Sequence, residues 1–199
     1  MPRPKRPQSY YDDIKDKFQE ERNLRLLYRP PGTDQSTSEF SGDLAKYAVD
    51  PYAEEVRSRE PITDKVEVLF IGGGFSALLT SARLRERGIE SIRIVERGSD
   101  VGGTWYWNRY PGAACDVVSY DYLPLLDELD YVPVNHYSRG PEIFAHCQAI
   151  ADKYNLYELS VFNTTVTETR WDDTDQLWHV STDRGDVMRA QFVICANGT

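Results

Sequence analysis

Val66-Glu67-Val68-Leu69-Phe70-Ile71 runs without a break into Gly72-Gly73-Gly74-Phe75-Ser76-Ala77. The first six residues are a short apolar run rich in β-formers, and the glycines end it as a turn. Phe75, Leu78, Leu79 and Ala82 then recur at i, i+3, i+4 and i+7, with Arg83, Arg85, Glu86 and Arg87 on the other face. That period predicts an amphipathic helix, and Gly88 supplies its stop. Ile92-Arg93-Ile94-Val95 reads as a second strand and closes on Glu96. Strand, glycine turn, helix, strand and terminal acid make a βαβ unit of the dinucleotide-binding kind. Each part has a physical task. Gly72 permits the tight turn, Gly74 lets the backbone approach a pyrophosphate, and Ala77 keeps helix and strand close. The pyrophosphate would rest on the unpaired N–H groups of the helix N-terminus. Glu96 stands where an acid accepts bonds from ribose hydroxyls. A carboxylate there repels a 2′-phosphate, so this site should take FAD or NAD rather than NADP. Alone, Glu96 would read as a solvated strand-end charge; its offset from the glycines argues for the ribose.

Working outward, the next segment is Gly102-Gly103-Thr104-Trp105-Tyr106-Trp107-Asn108-Arg109-Tyr110-Pro111-Gly112-Ala113-Ala114-Cys115-Asp116. Tyr110-Pro111-Gly112 is a turn signature, because Pro presets φ at the second position and Gly accepts positive φ at the third. The aromatic run should fold back on itself and offer flat apolar surfaces, with Asp116 at its far end. Such surfaces beside one carboxylate suit a planar ring cofactor. Read without its neighbours, the segment is equally a core hairpin.

The remaining elements are plainer. Residues 1–65 read as a helical N-terminal extension without a core of its own. Ser9 with Asp12 resembles a capping box for a helix to about Tyr28, ended by Pro30-Pro31-Gly32, and shorter helices are expected near 43–48 and 52–59. Tyr120 to Tyr137 is a long connection. Pro141 opens a helix whose stripe is Ile143, Cys147, Ile150 and Tyr154, with Asn155 as terminator. Residues 163–171 and 177–182 alternate as strands of an antiparallel meander, expected to stand apart from the parallel sheet. Gln191 to Ala196 is apolar on both faces, as in a buried parallel strand beside 66–71. The fold expected is α/β: a Rossmann-like domain over 66–199 with a parallel sheet and a β-meander, preceded by the helical arm.

Composition narrows the function classes. With 199 residues there is enough chain for one domain with a real core. A net charge of −9 argues against nucleic acid and against anionic membranes as partners. No apolar run has transmembrane length and no secretory h-region follows the basic start. Cys115, Cys147 and Cys195 form no CxxC, and His136, His146 and His179 form no metal pattern. Buried thiols in a reducing, cytoplasmic setting, and no metal, are the expectation.

Gly72-Gly-Gly-Phe-Ser-Ala77, Glu96 and above all Gly102-Gly103-x-Trp105-x4-Tyr110-Pro111-Gly112-x3-Asp116 resemble the class B flavoprotein monooxygenases, most closely the Baeyer–Villiger monooxygenases. The resemblance runs from about residue 66 to 199. The arm, with Glu20-Glu21-Arg22 and Arg25-Leu26, is similar to the extension of larger members acting on bulky secondary-metabolite ketones. It implies FAD contacts at Thr104, Trp105, Tyr106, Trp107, Asp116, Val117 and Tyr122, and a backbone contact to adenine at Val166. It implies that the nicotinamide cofactor is met by Ala114, Cys115 and Asp116. The activity implied is the NADPH- and O2-dependent conversion of a small-molecule ketone to an ester or lactone. Asp116 would be the catalytic residue, orienting an arginine that no position here matches. Three departures bear on this. Ala77 replaces a third Gly. Ala114 stands where the family has Arg. The second Rossmann unit, for NADPH, has no counterpart, so a partner chain supplying it, or a non-catalytic FAD-binding remnant, stands as the alternative.

Overall fold

A computed structural model describes residues 7–27, 49–53, 56 and 58–198. The chain divides into two compact units, Met1–Val49 and Asp50–Thr199. In the first, α1 spans Gln8–Leu27. It starts one residue before Ser9, so Ser9 lies inside the helix rather than capping it. The expected end at Tyr28, the Pro30–Gly32 stop and the helix at 43–48 fall outside the described residues.

The second unit is built on one six-stranded sheet. Its elements in chain order are β1 (Lys65–Ile71), α2 (Phe75–Glu86), β2 (Ile92–Val95), α3 (Thr104–Trp107), α4 (Ser119–Tyr122) and α5 (Leu126–Leu129). Then come α6 (Gly140–Lys153), β3 (Ser160–Val161), β4 (Val166–Asp172), β5 (Leu177–Thr182) and β6 (Val187–Cys195). The strand order is β3-β2-β1-β6-β5-β4. β1 pairs in parallel with β2, Val68 opposite Ile92, and with β6, Phe70 opposite Ile194.

The meander does not stand apart. β6 is a nine-residue strand with no breaker after Gly185, so it serves both neighbours. Its first half pairs antiparallel with β5, Trp178 opposite Ala190, while its later residues pair with β1. Nor is β6 buried on both faces, since Phe192 is 62% exposed. Cys195, at its end, is exposed as well, unlike the buried Cys115 and Cys147; all three are free thiols. β4 begins at Val166 rather than Asn163, because Asn163 takes a left-handed φ of 51° that breaks the strand.

The helix expected at 52–59 is not formed by its described residues. Asp50 Oδ1 accepts the Tyr52 amide at 2.9 Å, an Asx-type turn that competes with helix. Beyond it, Arg59 pairs with buried Asp186, whose Oδ1 also takes the Ile62 amide at 2.7 Å. These anchors hold 59–62 along the sheet.

The core lies between the sheet and two helices. Val68, Phe70, Ile92 and Ile94 pack against Ala77, Leu78 and Ala82 of α2 and Cys147, Ile150 and Ala151 of α6. Each large aliphatic residue so buried contributes about 1.5–3 kcal/mol. On the sheet's other side Val66, Leu69 and Val95 meet Val180, Met188 and Ala190. The parallel pair β1–β2 is therefore largely buried from Val68 to Phe70 and at Ile92, Ile94 and Val95, and its C-terminal ends open onto the glycine turn. No helix among the described residues is long and apolar enough to cross a membrane.

Candidate functional site

The turn after β1 is fixed by backbone. Gly72 donates to Val95 O at 2.8 Å, and Ala196 donates to Ile71 O at 2.8 Å. Gly72 has φ +103°, and a Cβ there would lie 2.6 Å from Ala196 O. No other residue fits between β1 and β6. Gly103, at φ +52°, approaches Gly74 so closely that a Cβ would lie 2.9 Å from Gly74 Cα. Two turns therefore meet backbone to backbone, joined by Gly102 N to Gly73 O at 2.9 Å. Gly74 is the N-cap of α2 and no side chain caps that end. The first-turn amides of a helix have no intrahelical partner, so α2 offers free donors and its positive dipole end to this space. Ala77 is fully buried in the core.

Glu96 is only 5% exposed. Its Oε2 accepts the Gly73 amide at 2.5 Å and its Oε1 the Gly98 amide at 2.6 Å. Burial pushes its pKa above the ordinary value, against the pull of the Gly98, Gly73 and Arg97 amides. Each carboxylate oxygen keeps acceptor capacity after one such bond.

α3 carries the aromatic run. Trp105 donates from Nε1 to Tyr122 Oη at 3.0 Å, with ring centroids 5.8 Å apart. Tyr122 also meets Phe75 edge-on at 5.6 Å. Tyr106 points away from this side and is buried; burial and the Asp50 carboxylate push its phenol pKa up. Tyr110–Ala113 is the expected turn, with Gly112 at φ +89° and Ala113 N on Tyr110 O at 3.2 Å. The chain then folds back, as Ala114 bridges antiparallel to Arg139 and Gly140 N reaches Ala113 O at 2.7 Å.

One cavity of about 1390 Å³ gathers most of the residues singled out from sequence. Gly72, Gly74, Glu96, Thr104, Trp105, Trp107, Tyr122 and Val166 line it. So do Ser76 of the glycine turn, Arg97 next to Glu96, and the chain from Cys195 to Gly198 at the end of β6. Ala77 and Tyr106 stand behind its wall. Ala114, Cys115, Asp116 and Val117 are not part of the lining. Cys115 is buried, its thiol donating to Val117 O at 3.1 Å, whereas Ala114, Asp116 and Val117 are exposed. Asp116 is therefore outside the lining itself, but its charge reaches Tyr122, which lines the cavity.

Two of the three histidines have partners that account for them. His146 Nε2 lies 2.7 Å from Pro124 O, and burial lowers its pKa. Half-buried His179 joins exposed Asp175 and half-buried Asp172 in a group at the β4–β5 turn, close enough in space to hold a cation. There Asp172 is already engaged by Arg170 and the Thr174 amide.

Comparison with known proteins agrees with this arrangement. Residues 71–126 match the model of an NAD(P)-binding Rossmann-like domain. The chain is 51% identical over 187 residues to a pentalenolactone D synthase of Streptomyces arenae, covering 93% of this chain and 30% of that protein. It is 46% identical over 185 residues to a Baeyer–Villiger monooxygenase of Streptomyces coelicolor, covering 93% and 30% respectively. Among solved structures, that of OTEMO in complex with FAD and NADP superposes with a TM-score of 0.63 at 32% identity, covering 67% of this chain and 25% of that one. The chain thus spans about 30% of the length of the curated relatives it matches.

Proposed function

We propose that this chain, which belongs to the Baeyer–Villiger monooxygenase family, holds FAD in the cavity between the Gly72–Ala77 turn and the aromatic run. The enzyme it serves would use NADPH and O2 to convert a small-molecule ketone to an ester or lactone. The observation that carries this reading is the convergence of the uncapped α2 N-terminus, buried Glu96 and Trp105, Trp107 and Tyr122 on one cavity. The close approach of Gly74 and Gly103 leaves no side chain in the way of a ligand's phosphates. The residues fit the group. Free amides of α2 bind the pyrophosphate, the remaining lone pairs of Glu96 accept ribose hydroxyls, and the backbone at Val166 borders the adenine. Trp105, held by Tyr122, excludes water and gives an apolar wall for a planar ring, with Thr104 and Trp107 beside it. FAD supplies the redox chemistry that side chains lack.

Asp116 has a different task. Exposed beyond Cys115, it is available to orient an arginine from the remainder of the enzyme, an electrostatic role toward an anionic oxygen. Ala114 and Asp116 face the side on which the nicotinamide cofactor would approach. Buried Cys115 can reach it only through its backbone, and Val117 can reach FAD only from the exposed side. We assign 66–199 to the FAD-binding domain and 1–65 to the extension, the last part of which, from Asp50, packs within the domain's compact unit, with the NADPH-binding unit coming from further chain or a partner. The free thiols agree with a cytoplasmic setting. The test is direct: purify the chain, add FAD and follow quenching of flavin fluorescence. Saturable one-to-one binding, weakened in Glu96→Ala, is expected; no binding would overturn the assignment.

A further inference from the structure

Asp50 sits behind the aromatic run, far from it in sequence. Its Oδ2 accepts Tyr106 Oη at 2.6 Å, Ser99 Oγ at 2.8 Å and the Ser99 amide at 3.0 Å. Its Oδ1 accepts the Tyr52 amide at 2.9 Å. Tyr106 Oη and Ser99 Oγ are themselves 2.6 Å apart. Burial works against the charged form of Asp50, but the donors from Tyr106, Tyr52 and Ser99 prevail and hold its pKa below the ordinary value.

A second grip comes from the side. Arg109 donates from Nε to Tyr106 O at 2.9 Å, and its guanidinium lies 4.1 Å from the Tyr52 ring centre, 4.6 Å from Tyr106 and 4.8 Å from Phe144. The Tyr106 ring also meets Trp107 edge-on at 5.0 Å. α3 has four residues, far too few to persist as a helix without tertiary support. Its two Trp side chains line the cavity, and Tyr106 between them is the residue held from behind.

We propose that Asp50 is a positioning residue of this cavity: by gripping Tyr106 it fixes α3, and so where Trp105 and Trp107 present their rings. Asp50 lies outside the stretch that matches the Rossmann-like model, 71–126. The segment leading into β1 is thereby part of the site's support. The consequence for FAD rests on the proposed cofactor reading; the positioning of α3 does not.

Hydrogen exchange read by mass spectrometry tests the positioning in flavin-free chain. The amides of Trp105, Tyr106, Trp107 and Asn108 bond to Gly102, Gly103 and Thr104 carbonyls and report on α3 alone. In Asp50→Asn, and in the milder Tyr106→Phe, they should exchange about tenfold faster, the weight of one hydrogen bond to a charged acceptor. The double variant should be no faster than the faster single one, since both cut the same link. Amides of α6 should not change. Unchanged exchange at 105–108, or an equal rise in α6, would overturn the proposal, because a merely structural residue moves the whole unit. FAD titration is the second arm, with about tenfold weaker binding expected in both variants. If the unmodified chain binds no FAD, the cofactor reading fails, and exchange at 105–108 still decides the role of Asp50.

Discussion

The two ends of the site are built differently. Around Gly72, Gly74 and Glu96, the framework is fixed by backbone contacts: strand to strand, turn to turn, carboxylate to amide. Around Ala114, Asp116 and Val117, the chain is pinned from beneath, through the Ala114–Arg139 bridge, Cys115 N on Ser138 O at 3.0 Å, the Cys115 thiol on Val117 O at 3.1 Å and Ser119 N on His136 O at 2.9 Å. Its functional side chains face outward. The first end couples folding to ligand geometry, so damage there should cost both. The second can change chemistry at no cost to the fold. Substitutions at the two ends break or sharpen this contrast.

Gly72→Ala should have the largest effect. Its Cβ meets a backbone oxygen at 2.6 Å in a left-handed conformation, so β1 and β6 must part. A loss on the order of 4–5 kcal/mol is expected, read as collapse of the urea unfolding midpoint with FAD binding lost alongside. A variant of near-normal stability would mean that the turn is not the keystone of this end.

Arg59→Ala comes next and probes how far the fixed region extends behind the cavity. Arg59 bonds both oxygens of Asp186, at 2.5 and 2.7 Å, and Thr164 Oγ1 at 3.3 Å, next to the wall formed by Val166. Removing it leaves a buried carboxylate with only the Ile62 amide and Thr182 hydroxyl. The cost should be about 3 kcal/mol at neutral pH. Arg59 holds the pKa of Asp186 far below its usual 3.8. A depressed carboxylate stabilises fully above its unfolded pKa and loses that contribution as pH falls toward the folded value. The gap between wild type and Arg59→Ala should therefore narrow below about pH 4, measured by urea unfolding across a pH series. A constant gap would deny the ion pair its role.

The contrast also explains what the sequence disclosed. The glycine turn, α2 and the strands beside it were legible because their signals are local: spacing, period and a terminal acid. The Tyr110–Gly112 turn was legible for the same reason. What escaped was long-range. Asp50 and Tyr106 are 56 positions apart, and Arg59 and Asp186 are 127 apart, with no pattern linking either pair. The apolar run before Ala196 suggested a strand buried on both faces. Its partners, not its composition, left Phe192 exposed and joined the meander to the sheet. Asp116 was legible as a motif, but its exposure depends on what surrounds it.

Glu96→Gln is the intermediate case. The amide keeps the shape but turns one acceptor into a donor facing a buried N–H of Gly73 or Gly98. Leaving that group unsatisfied should cost about 1–3 kcal/mol. Melting temperature and FAD affinity should fall together, as expected where fold and ligand share an anchor. Loss of affinity with unchanged melting would mean that Glu96 serves the ligand alone.

Asp116→Ala should have the smallest effect on this chain, and for that reason it tests the contrast most sharply. The carboxylate is exposed, and its charge acts on Tyr122 only through space. Surface changes of this kind stay within about 0.5 kcal/mol, or a melting shift of about 1–2 °C in a chain of this size. FAD affinity should also hold, because the side chain lies outside the cavity lining. In a longer enzyme of this family carrying the same motif, the equivalent change should slow ketone oxygenation while leaving bound flavin intact. A melting loss of several degrees in this chain would show Asp116 to be a structural anchor of the Ala114–Tyr122 segment. Loss of FAD without loss of stability would extend the fixed end of the site to Asp116. The contrast holds only if removing this carboxylate leaves both fold and flavin untouched.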